Sequence, residues 1–193
     1  MRTCGPSGMQ GTRMQTQVRT RDLKEKKRRG EKIAMLTAYD ANMARLLDRA
    51  GVDALLVGDS VGMVMLGFGN TVAVTLEMMI HHTAAVSRGA ERALIIADMP
   101  FLTYQVSPAE ALRNAGRLVQ EGGAAAVKME GGRPVLDTVR RPVETGLPVI
   151  GHLGLVPPSV HHCGAYRPQA RLAPVARRVP SPGPPPPPPD SRP

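Results

Sequence analysis

The sequence predicts an α/β protein built on a parallel sheet, and three observations carry that reading. Between Lys32 and His152, short β-rich runs alternate with helix-like stretches. The runs are apolar almost throughout rather than alternating, as strands covered on both faces are. They also end in polar residues. A repeat of roughly 20–40 residues fits βα units, in either a doubly wound sheet or a (β/α)8 barrel. Periodicity does not choose between the two. The polar run ends lean toward the barrel, whose strand C-termini all converge on one mouth; a doubly wound sheet gathers its ligand at a single switch point.

The predicted strands are Ile33–Tyr39, Ala54–Asp59, Ala93–Met99, Ala125–Glu130 and Pro148–His152. Between them Ala41–Ala50, Thr75–Arg88, Pro108–Glu121 and Pro134–Thr145 read as helices. Asp40 is placed to cap the first helix and Thr75, with Met78 beyond it, the second. Ser107-Pro108 sets a cap before a first-turn proline, and Gly122-Gly123 stops the third helix. The stretch from Gly67 through Gly69 and Asn70 reads as a flexible loop over the mouth; it is not a dinucleotide fingerprint, because no strand leads into it correctly.

Outside this region the texture changes. Residues 1–20 are acid-poor, contain arginine and lack the apolar core of a secretory signal, so they read as a disordered leader, a transit peptide or the product of an upstream start. The barrel-like domain is expected over 21–160, and 161–193 is expected to be a disordered Pro/Arg-rich tail. Ten prolines fall in residues 172–193, six of them consecutive from Pro184 to Pro189.

The net charge of +9 is a property of the ends. Residues 1–32 carry ten basic side chains against three acidic, and 153–193 carry five against one, whereas 33–152 carry ten against twelve. The cluster Lys24-Glu25-Lys26-Lys27-Arg28-Arg29 therefore reads as a solvated leader or first helix, and no nucleic-acid partner is expected. No run approaches the ~18 apolar residues of a membrane span, so no membrane partner is expected either. The two cysteines, Cys4 and Cys163, give neither a disulfide framework nor a metal-ligand spacing, which favours a reducing cytosol.

The chemistry-bearing residues gather at strand ends. Asp59 closes the second run, Asp98 the third and Glu130 the fourth. Three carboxylates at the same end of adjacent parallel strands repel one another unless a cation sits among them, and a hard divalent ion, Mg2+ above all, suits oxygen ligands. Helix-capping carboxylates are the alternative. Lys128 lies two residues before Glu130, hence on the same face of the strand. There it can pair with a substrate carboxylate or an enolate oxygen, or form a salt bridge to Glu130 or Asp98. His152 ends the fifth run at the same mouth and is either a packed histidine or a catalytic one. His81-His82 and His161-His162 read as structural or incidental.

Six motifs in order resemble ketopantoate hydroxymethyltransferases: Thr37-Ala38-Tyr39-Asp40, Val57-Gly58-Asp59-Ser60-Val61-Gly62-Met63, His82-Thr83-Ala84-Ala85-Val86, Ala97-Asp98-Met99-Pro100-Phe101, Val127-Lys128-Met129-Glu130-Gly131-Gly132 and Gly151-His152-Leu153-Gly154-Leu155. The match covers about residues 20–160 and fades through Gly164-Ala165-Tyr166-Arg167 to Gln169-Ala170-Arg171. The resemblance implies a (β/α)8 barrel of the phosphoenolpyruvate/pyruvate superfamily, truncated here after about five βα units. It implies hydroxymethyl transfer from 5,10-methylenetetrahydrofolate to 3-methyl-2-oxobutanoate, giving 2-dehydropantoate for pantothenate synthesis. Mg2+ would chelate the oxo acid through its carboxylate and keto oxygen and acidify C3.

By motif, Asp59 and Asp98 resemble the metal ligands, Glu130 a ligand directly or through water, and Ser60 and Lys128 contacts to the substrate carboxylate. The resemblance also implies homo-oligomeric rings, commonly decamers. It places the proton-abstracting glutamate near the end of a sixth strand, and nothing after Leu155 resembles that segment, which leaves His152 as a tentative catalytic group. Three alternatives follow: a catalytically inactive remnant that co-assembles with full-length subunits, a frameshifted or misassembled gene, and a folate-independent aldolase or lyase of the same superfamily.

Overall fold

The computed structural model describes residues 16–153. Strands β1 (Met35–Thr37), β2 (Ala54–Val57), β3 (Leu94–Asp98), β4 (Ala126–Glu130) and β5 (Val149–His152) form one sheet, every neighbouring pair parallel, in the order β1-β2-β3-β4-β5. A doubly wound sheet reverses direction at its switch point; this one never does, so the strands trace the arc of a barrel. The helices agree. Helices α2 (Ala41–Arg49), α4 (Leu76–Gly89), α5 (Pro108–Gln120) and α6 (Leu136–Glu144) pack in sequence against one another along one side of the arc.

Alternation along each strand divides the packing. Leu55, Val57, Ile95, Ala97, Val127 and Met129 face the helices and join Ala44, Met79, Val86, Ala111, Ala115 and Leu118 in the main core. Ala54, Leu94, Ile96 and Ala126 face the other way and form a smaller cluster with Val18, Leu23, Leu56 and Ile150. Asp98, Lys128, Glu130 and His152 continue that second face toward the strand ends, because residues two apart share a face.

Local chemistry sets the boundaries. Asp40 caps α2, its Oδ1 accepting from the amides of Asn42 and Met43 at 2.8 and 2.9 Å. Thr75 caps α4 through the Met78 amide and Ser107 caps α5 through that of Glu110, with Pro108 in the first turn. The strand predicted from Ile33 shrinks to Met35–Thr37, since the Ala34 amide turns to the Asp53 carboxylate and Asp40 is already committed to its cap. The stretch predicted as one helix from Pro134 opens instead with a 3-10 turn, Arg133–Val135, before α6. A short helix, α3 (Val61–Val64), follows β2 and was not foreseen.

Helix α1 (Thr20–Arg28) holds the basic cluster. It has no fully buried residue, and Lys26 reaches Asp53 at 2.6 Å, so most of its charge is solvated surface. Val18, assigned by sequence to the leader, donates its amide to the Arg92 carbonyl at 2.8 Å and packs with Leu23 against the smaller cluster. The expected tail, 161–193, and the leader residues before 16 lie outside the described residues. No helix among the described residues is long and apolar enough to cross a membrane.

Candidate active site

The second face of the sheet ends in a band of polar side chains running across β3, β4 and β5. Asp98 pairs in register with Lys128, and Glu130, two residues further along the same face, with His152, so the band climbs by two residues from β3 to β5. Lys128 donates from Nζ to Asp98 Oδ1 at 2.7 Å and to Glu130 Oε1 at 3.3 Å. Glu130 Oε1 also lies 2.7 Å from His152 Nδ1. Both readings of Lys128 as a salt-bridging residue therefore hold at once.

Asp59 joins from outside the ladder. The sequence placed it at the end of β2; that strand stops at Val57, and Asp59 stands two residues on, in the turn entering α3. Gly58 makes the departure possible, because a Cβ there would sit 2.8 Å from Ser60 Oγ and 3.4 Å from Asp98 Oδ2. The turn aims the Asp59 amide at Asp98 Oδ2, 3.3 Å away. Ser60 follows directly, its hydroxyl 2.8 Å from the Tyr39 hydroxyl.

The electrostatics are those of a crowded acidic site. Asp59, Asp98 and Glu130 are 8%, 5% and 9% exposed, which removes most of the water that would screen them. Burial, followed by the charges of Asp98 and Glu130, raises the Asp59 carboxyl from 3.8 to about 6. Burial raises Asp98 as well, and Lys128 opposes that rise. Burial also works against the Lys128 ammonium, yet Asp98 and Glu130 outweigh it and hold its pKa above the ordinary lysine value.

Two tyrosines, neither among the sequence candidates, hold this arrangement. Tyr104 is buried, and its hydroxyl donates to the Glu130 carbonyl at 3.0 Å while accepting from the Glu130 amide at 3.1 Å. It fixes the end of β4 from the loop after β3, and burial pushes its own pKa up to about 12. No local signal marks it. Tyr39 supports Ser60, and its carbonyl is in turn 2.8 Å from His82 Nδ1. That contact gives His82 the structural role expected of it. Tyr39 closed the first predicted strand, Ile33–Tyr39, and stood within a quoted motif, so the strand-end argument could have found it.

The donor set is oxygen-rich and hard. It holds three carboxylates against one lysine, an excess of two negative charges when His152 is neutral, which suits a divalent cation bound by oxygen. Among the described residues, no three acidic, histidine or cysteine side chains already converge in ligating geometry. Glu130 Oε1 is engaged by Lys128 and His152, while Asp98 takes Lys128 on Oδ1 and the Asp59 amide on Oδ2. An apolar groove lined by Leu23, Val143, Leu147, Val149 and Ile150 lies at the opposite ends of the strands and shares no residue with this cluster.

A parallel βα arc with acidic and basic side chains converging at its strand ends defines a barrel-type enzyme site. Solved structures show the same winding. The chain superposes on 2,3-dimethylmalate lyase, a PEP mutase/isocitrate lyase superfamily member, with a TM-score of 0.51 at 19% identity, covering 68% of this chain and 51% of that one. It superposes on phosphoenolpyruvate phosphomutase from Streptomyces platensis subsp. rosaceus with a TM-score of 0.51 at 16% identity, covering 62% and 48%.

Sequence comparison goes further. Residues 17–181 match the family model of ketopantoate hydroxymethyltransferase, and the chain belongs to that family. The match runs about 20 residues beyond position 160, into the stretch read from sequence as tail. The 3-methyl-2-oxobutanoate hydroxymethyltransferase of Syntrophus aciditrophicus is 53% identical over 162 residues, 84% of this chain and 60% of the relative. That of Dehalococcoides mccartyi strain BAV1 is 56% identical over 154 residues, 80% and 55%. The chain thus spans a little over half the length of the curated relatives it matches.

Proposed function

We propose that this chain carries the cation- and oxo-acid-binding part of a 3-methyl-2-oxobutanoate hydroxymethyltransferase site. The observation that supports it most is the juxtaposition of Asp59, Asp98 and Glu130 around a single Lys128 at the strand ends. Asp59 and Asp98 would ligate Mg2+, and Glu130, held by Lys128 and His152, would reach it through water. When bound, Mg2+ supplies Lewis acidity to the 2-oxo acid and makes its C3 proton removable.

The chain's own groups would bind and orient. Ser60, its hydroxyl supported by Tyr39, and Lys128, with proton donors to spare, would take the substrate carboxylate. Asp98 and Glu130 would keep Lys128 protonated for that contact. His152, on Glu130, is the remaining proton-active group at the mouth. The sixth-strand glutamate that the resemblance implies as base is not among the five described strands, so a second reading stands beside the first: a chain that binds without turning over. 5,10-Methylenetetrahydrofolate as co-substrate, a cytoplasmic location and assembly into homo-oligomers belong to the same proposal.

The test is to incubate the purified chain with 3-methyl-2-oxobutanoate, Mg2+ and 5,10-methylenetetrahydrofolate, and in parallel to titrate the oxo acid with and without Mg2+. Product formation supports the transferase. Mg2+-dependent oxo-acid binding without product supports the binding-only reading. No Mg2+-dependent binding at all refutes both.

A further inference from the structure

The motif His82-Thr83-Ala84-Ala85-Val86 lies on α4, and the chemistry proposed for the strand ends makes no use of it. Its first residue nevertheless reaches out of the helix. His82 Nδ1 is 2.8 Å from the Tyr39 carbonyl, across 43 residues of sequence. A carbonyl only accepts, so Nδ1 bears the proton and donates it, which fixes the tautomer of the neutral ring. The His81 ring meets the His82 ring edge-on, with centroids 5.3 Å apart. Close helix packing makes the reach possible. Gly89 stands seven residues after His82, hence on the same face of α4, and a Cβ there would lie 2.8 Å from Ala41 Cα at the start of α2. The neighbours of Tyr39 are tied down as well: the Ala38 amide donates to the Leu56 carbonyl at 3.1 Å, and Asp40 is committed to the α2 cap.

From Tyr39 the contacts enter the site, because its hydroxyl is 2.8 Å from Ser60 Oγ. A carboxylate, like a carbonyl, only accepts. For Ser60 to hold a substrate carboxylate its own proton must point at the substrate, and the Tyr39 hydroxyl must then donate to Ser60 Oγ. Tyr39 is thus engaged at both ends, its carbonyl by His82 and its hydroxyl by Ser60. A hydroxyl–hydroxyl bond of this length tolerates little displacement of either partner. We propose that His82 is a positioning residue for the oxo-acid site. By holding the Tyr39 main chain it places the phenol as donor to Ser60, and so leaves the Ser60 proton free for the substrate carboxylate.

This inference rests on the reading of Ser60 as a substrate-carboxylate contact, and the experiment separates the two. 3-Methyl-2-oxobutanoate is titrated calorimetrically, at saturating Mg2+, into the full 193-residue chain and into Ser60→Ala, Tyr39→Phe, His82→Leu, His82→Asn and the double variant His82→Leu/Tyr39→Phe. Mg2+ alone is titrated into each. Ser60→Ala loses a bond to a charged group and should weaken oxo-acid binding about tenfold. Tyr39→Phe and His82→Leu should each weaken it about fivefold, as the loss of one neutral hydrogen bond does. His82→Asn, whose amide sets an N–H where Nδ1 stood, should stay within about twofold of wild type. The double variant should bind no worse than Tyr39→Phe, since His82 acts through Tyr39. Mg2+ alone should bind every His82 variant as it binds wild type. Nitrogen NMR of the wild-type chain should show the His82 proton on Nδ1, a readout that needs no variant to fold. Wild-type oxo-acid affinity in His82→Leu, full additivity in the double variant, a parallel loss of Mg2+ binding, or an unprotonated Nδ1 overturns this inference alone. Unchanged affinity in Ser60→Ala, or no Mg2+-dependent oxo-acid binding by wild type, overturns the site reading and this inference with it.

Discussion

Replacing Asp59 with asparagine should stabilise the ligand-free chain at neutral pH while abolishing its response to a divalent cation. In the folded chain burial and the neighbouring carboxylates raise the Asp59 carboxyl from 3.8 to about 6. The folded state therefore binds this proton more tightly than the unfolded state does. Well below pH 3.8 both states are protonated and the group costs nothing. As pH rises through about 6 the folded chain must ionise it, and the destabilisation reaches its full value by pH ~8. A shift of about two units corresponds to roughly 3 kcal/mol. Asparagine carries no charge at any pH, so Asp59→Asn should match wild type at pH ~3 and exceed it by up to roughly 3 kcal/mol at pH 8. Urea unfolding at several pH values measures the difference directly. Excess Mg2+ at pH 8 should stabilise wild type and leave the variant unmoved. A variant no more stable than wild type at pH 8, or an advantage that does not grow with pH, would refute the electrostatic reasoning.

Three further outcomes follow from the same network. Lys128→Met strands two buried carboxylates that Lys128 now bridges at 2.7 and 3.3 Å, and should cost about 3–5 kcal/mol at pH 8 and less at pH 5, read by denaturant unfolding. Tyr104→Phe removes both bonds to the Glu130 backbone and should cost about 2 kcal/mol, with faster amide exchange at Glu130. Gly62→Ala drives a methyl into Val74 and Phe68 and should cost about 1–3 kcal/mol, shown by a lower melting temperature.

Four of the five titratable side chains in the cluster could be placed together from the sequence because strand geometry is simple. Asp98, Lys128, Glu130 and His152 sit at the ends of strongly apolar runs, and a period of two puts Lys128 and Glu130 on one face without knowledge of the neighbours. Asp59 was recognised but misplaced. Gly58 takes the chain off the ladder two residues early, a departure decided by the Ser60 hydroxyl and the Asp98 carboxylate, which are apparent only in three dimensions. Helix α3 was missed because four residues including Gly62 are too short to show a helical period. Tyr104 lies in a loop, where side-chain direction follows no repeat. Tyr104 meets Glu130 from 26 residues away. Periodicity alone left barrel and doubly wound sheet undivided, since both share the βα period; the polar strand ends and the family resemblance pointed to the barrel, and the strand order and the one-sided helices agree.

The charge balance distinguishes this cluster from ordinary helix capping. Helix-capping carboxylates, the bland alternative, are stabilised by the amides they cap, as Asp40 is at α2. Asp59 behaves oppositely: burial and its neighbours disfavour its ionised form by an amount comparable to a sizeable fraction of the ~5–15 kcal/mol that holds a domain together. Lys128 is already committed to Asp98 and Glu130 and offsets one negative charge of three. Any cation that relieved the remaining charge would recover that unfavourable energy as binding affinity. The same repulsion that makes the empty cluster costly is therefore what would make it selective for a divalent ion over a monovalent one.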